Sequence, residues 1–79
     1  MFAETDLKTG ATYVQLSEAP VARTLVHLSE VIMVDVDEYG TPVGVEIVAP
    51  VNTIDRDDWR ALADVVPEVK QIFRDYFPA

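Results

Sequence analysis

The sequence has no cysteine, which removes disulfide bridges, thiolate metal sites and a cysteine nucleophile. It has a single histidine, His27, so no pair of imidazoles can hold a zinc ion. Its three glycines, Gly10, Gly40 and Gly44, are too few for a phosphate-cradling loop or a dinucleotide fingerprint. Bases are scarce as well: six Lys and Arg stand against 14 Asp and Glu, a net charge of −8. That balance argues against nucleic acid and against anionic membrane surfaces as partners. No apolar run approaches the roughly 20 residues of a membrane span, and the N-terminus lacks the basic, apolar start of a secretory signal. The expectation is a soluble cytoplasmic protein with no cofactor and no bound metal.

What is present is a globular composition, 49% hydrophobic and 25% charged over 79 residues, enough for one domain and no more. The pattern changes near Asn52. Before it, Val, Ile, Leu and Tyr recur in short runs between turn residues, the mark of strands. Four strands are expected within residues 1–50, with a fifth at Phe2 to Thr5, forming an antiparallel meander. Lys8-Thr9-Gly10 and Asp37-Glu38-Tyr39-Gly40 read as hairpin turns with glycine at the left-handed position. From 53 to 78 the spacing becomes helical. Asp55 is suited to cap a helix, and Trp59, Leu62, Ala63 and Val66 form one apolar stripe. Pro67 divides it from a second stripe, Val69, Ile72, Phe73 and Tyr76. The predicted class is α+β, a sheet of four to five strands followed by two short C-terminal helices of about three turns each.

With the second turn as drawn, Asp37 faces Thr41, Asp35 faces Val43, Met33 faces Val45 and Val31 faces Ile47. Alternation then puts Leu25, His27, Ile32, Val34, Val36, Glu46 and Val48 on one side of the sheet. Two short helices cover one face, so Leu25, Ile32, Val34, Val36 and Val48 are left as an aliphatic patch suited to a homodimer or another protein. One helix on each face is the alternative, and it closes the monomer.

The stretches from Asp6 through Ala11-Thr12-Tyr13-Val14-Gln15-Leu16, Val21-Ala22-Arg23-Thr24, Val34-Asp35-Val36-Asp37-Glu38-Tyr39-Gly40 and Val43-Gly44-Val45-Glu46-Ile47 resemble a small bacterial and phage family. It is catalogued as domain of unknown function number 2283. The likeness runs from about Thr5 to Ala49 and is most specific in the hairpin DVDEYGTPVGVEI. It implies a curved antiparallel meander and brings no activity or catalytic residue with it. Some members keep company with small toxins, which implies an antitoxin-like role. The chain departs from the family in having Thr5-Asp6 where Tyr-Asp is common, and in its helical tail.

No residue set points firmly to chemistry. Asp35, Asp37 and Gly40 echo a calcium loop, with Glu46 at its twelfth position, but the flanks read as strands and not as the helices of an EF-hand. His27 and Glu46 share a face, two strands and roughly 9 to 10 Å apart, as a polar row or an acid–base couple. Ser17 and Ser29 lie in turns without a neighbouring base. Arg56, Arg60, Lys70 and Arg74 alternate with acids along the helices, as on a solvated face with local ion pairs. Tyr76 and Phe77 are either core aromatics or anchors for a partner's groove. The functional expectation is a non-enzymatic protein-interaction domain, antitoxin-like or phage-encoded. The alternatives are a structural homodimer or assembly component, and a small ligand-binding or catalytic domain built on His27 and Glu46.

Overall fold

A computed structural model describes residues 2–77, with the side chains of 25–27 excepted. The expected α+β fold is present. Five antiparallel strands, β1 (Phe2–Thr5), β2 (Thr12–Gln15), β3 (Arg23–His27), β4 (Ile32–Val36) and β5 (Pro42–Ile47), precede the helices α1 (Arg56–Val65) and α2 (Val69–Ile72). The sheet order is β1-β2-β5-β4-β3. A meander therefore describes β3, β4 and β5, while the chain between β2 and β3 crosses the end of the sheet. That crossing sets β2 beside β5 and makes strands β2 to β5 a Greek key.

Both predicted hairpin turns form. Asp37 N–H donates to the Thr41 carbonyl at 2.9 Å, and Gly40 adopts φ +83°, a region an L side chain enters at a cost. The Asp37 carboxylate accepts the backbone N–H groups of Tyr39 and Thr41 at 2.8 and 2.9 Å. Asp6 serves the first turn in the same way, accepting from Lys8 N–H at 2.9 Å, and Gly10 takes φ +77°.

Beyond the second turn the register differs from the expectation by one residue. Val36 pairs with Pro42, but Asp35 pairs with Gly44, Val34 with Val45, Met33 with Glu46 and Ile32 with Ile47. Val43 is the extra residue of a β-bulge. Pro42 has no N–H to give to the ladder, and bulges are where a strand tolerates that loss. A one-residue slip turns every side chain over, so Ile32, Val34 and Val36 belong to the chain's own core and not to a free patch. Val48 remains half exposed just past β5, and the Leu25 side chain lies outside the described residues. The aliphatic face that argued for a homodimer has thus lost its central members.

The core forms where α1 lies on the sheet. Val14, Ile32, Val34, Val36, Val45 and Ile47 meet Trp59, Leu62, Ala63, Val66 and Val69, all buried. The predicted stripe of α1 is the buried one. Asp55 occupies the N-cap position with extended backbone angles, yet its side chain makes no capping hydrogen bond. The second helix is shorter than the expected three turns: α2 is one turn, followed by a 3₁₀ turn at Arg74–Tyr76. The helical path breaks at Phe73 (φ −115°, ψ 40°), and three aromatic rings then close on Trp59. Its centroid lies 5.0 Å from Phe73, 5.1 Å from Tyr76 in a stacked pose, and 5.5 Å from Phe77 edge-on. Tyr76 and Phe77 thus fold back on the core rather than project as anchors, although Tyr76 stays 37% exposed. No helix among the described residues is long and apolar enough to cross a membrane.

Candidate functional site

The bulge gives the sheet one apolar face and one polar face, as a singly covered antiparallel sheet requires. On the uncovered side two rows of residues run across all five strands. One is Glu4, Tyr13, Glu46, Met33 and His27; the other is Phe2, Gln15, Gly44, Asp35 and Thr24. Asp35 and Glu46 are diagonal neighbours on adjacent strands, close enough for their side chains to meet. The sequence reading set them on opposite faces; the bulge at Val43 brings them together.

Asp35 is the centre of this face and is only 4% exposed. The Thr24 hydroxyl donates to one of its carboxylate oxygens. Glu46 is held above the ordinary glutamate range, first by a hydrogen bond with Asp35, then by burial and by the negative charge of Asp35. Tyr13 is also raised, by burial and then by the charges of Asp35 and Glu46. Two carboxyl groups this close favour sharing one proton over carrying two charges. Gly44 leaves the room that the Tyr13 ring uses, since a Cβ there would run into the Tyr13 hydroxyl. A cleft of about 430 Å³ opens beside the pair where β1 and β5 end and β2 begins, with Glu4, Asp6, Tyr13 and Glu46 in its lining.

The row of His27 and Glu46 that the sequence suggested is present in the backbone register, with Met33 between them in place of Ile32. The His27 side chain lies outside the described residues. The partner of Glu46 within the described side chains is Asp35, which sequence reasoning missed. The one available signal was Pro42 two residues before Gly44, a proline and a glycine inside a strand pattern. The calcium-loop echo dissolves. Asp37 is committed to its turn, and no group of three or more metal-ligating side chains occurs among the described residues. Ser17 and Ser29 hold turns, accepting the N–H groups of Ala19 at 3.0 Å and Val31 at 3.2 Å.

Comparison with protein-family models, with curated proteins and with solved structures found no match.

Proposed function

We propose that this protein is a non-enzymatic binding module whose polar sheet face captures a cationic segment of a protein partner. The observation that carries this reading is the cleft beside the carboxyl pair. Glu4, Asp6 and Glu46 line it together with the Tyr13 ring, and buried Asp35 lies next to Glu46. A Lys or Arg side chain entering there meets several acceptors and an aromatic face suited to a cation. A guanidinium paired with Glu46 would also offset the repulsion between Glu46 and the buried Asp35 beside it. The family resemblance agrees with this direction, since an antitoxin-like protein neutralises a basic partner through an acidic surface.

Calorimetric titration with an arginine-rich peptide tests the reading. Saturable binding is expected, weakening as salt rises and falling about tenfold in a Glu4→Gln/Glu46→Gln variant. Binding that the variant leaves intact would move the interaction elsewhere on the acidic surface.

The pair Asp35 and Glu46 also favours a second reading, a general acid acting on a small ligand, because the raised carboxyl of Glu46 holds its proton to higher pH than an ordinary glutamate. The cleft is open, and Glu4, Asp6 and Glu46 line it together, so binding of a cation is the stronger reading. A small-molecule turnover abolished by Glu46→Gln would reverse that order.

A further inference from the structure

The helical segment carries a second cleft of different chemistry. Its volume is about 660 Å³, and Arg56, Arg60, Lys70, Trp59 and Tyr76 are among its lining residues, with Asp64 as an acid there. The chain has only six Lys and Arg among its 79 residues, and three of them converge on this one depression. In a protein of net charge −8 that concentration is the reverse of the background.

A separate observation points the same way. Trp59 is 3% exposed, and its indole Nε1–H is buried with no hydrogen-bond partner among the described residues. A buried indole N–H ordinarily finds an acceptor, and an orphan calls for a reason. An indole can only donate, so what is missing is an acceptor. Of the rings packed on it, Tyr76 is stacked at 5.1 Å and partly exposed, and so is the one most free to shift.

We propose that this cleft binds an anionic group, carboxylate or phosphate, carried on an apolar body. Arg56, Arg60 and Lys70 supply the charge and the forked donors, Trp59 supplies the unused N–H, and the aromatic wall takes the body. The negative charge of Asp64 is outweighed by the three cations. This site is independent of the sheet-face cleft, which selects the opposite charge.

Trp59 is the only tryptophan, so one indole ¹H–¹⁵N resonance reports on the site without ambiguity. Phenyl phosphate and phenylacetate would be titrated against neutral benzyl alcohol into the full-length protein. The expected result is a saturable downfield shift of that resonance with at least one of the anions and none with the alcohol. The tighter of the two anions identifies the favoured group. Arg56→Gln/Arg60→Gln should weaken the binding about tenfold or more, while Arg74→Gln, whose side chain is not in the lining, should leave it unchanged. An indole resonance that no anion moves would overturn the proposal. So would an equal response to benzyl alcohol, or an equal loss in Arg74→Gln.

Discussion

Asp6 and Asp37 do the same work at the two hairpins: each bends a carboxylate back onto the N–H groups of its own turn while a glycine takes the left-handed position. Asp37 accepts two such bonds, and its replacement by alanine should cost about 1–2 kcal/mol in urea unfolding. Asp35, two residues earlier, has a wholly different task at the carboxyl pair. Because Glu46 is raised in the folded state, its contribution to stability is complete at acid pH, below the unfolded glutamate range. That contribution is lost as pH rises through the elevated folded value. Glu46→Gln keeps a donor toward Asp35 without the charge. It should flatten this pH dependence and stabilise the protein at neutral pH by up to about 1 kcal/mol. Unfolding midpoints of the two proteins between pH 4 and 8 check both the sign and the window.

At the scale of elements, the helices were the most legible part of the sequence. The spacing of Trp59, Leu62, Ala63 and Val66 admits one buried face, and that face is the one the sheet receives. Leu62 is fully buried, so Leu62→Ala should destabilise by about 2–5 kcal/mol, measured in the same unfolding experiment. The strands were legible as strands but not as faces. Alternation along β4 and β5 is aliphatic on both sides, and only the bulge at Val43 decides which set goes inside. Pro42 and Gly44 inside the strand pattern hint at a bulge without fixing its position, which depends on the pairing with the neighbouring strand. The same bulge hid the candidate site, since Asp35 and Glu46 meet only after the slip. The end of α2 was obscured for a different reason: the spacing of Phe73 and Tyr76 suits a helix, but packing on Trp59 takes precedence over periodicity.

For the whole molecule, the fold separates two chemistries that the sequence presents as one acidic chain. The sheet strands and their turns hold most of the negative charge, with eight acids and two bases before Asp55, whereas the helical segment has six acids and four bases. Long-range steering of a cationic partner follows from the first arrangement, and its salt dependence belongs to the whole field rather than to any one pair. The chain's own helices cover the aliphatic face, and the face left to solvent is polar. Association is therefore expected to proceed through charge and the Tyr13 cleft, not through a bare hydrophobic surface. The most direct test is an amide ¹H–¹⁵N map of the protein titrated with an arginine-rich peptide. The account predicts shifts concentrated at Glu4, Asp6, Tyr13 and Glu46, with α1 unmoved. Shifts confined to α1 and the aromatic tail would contradict it.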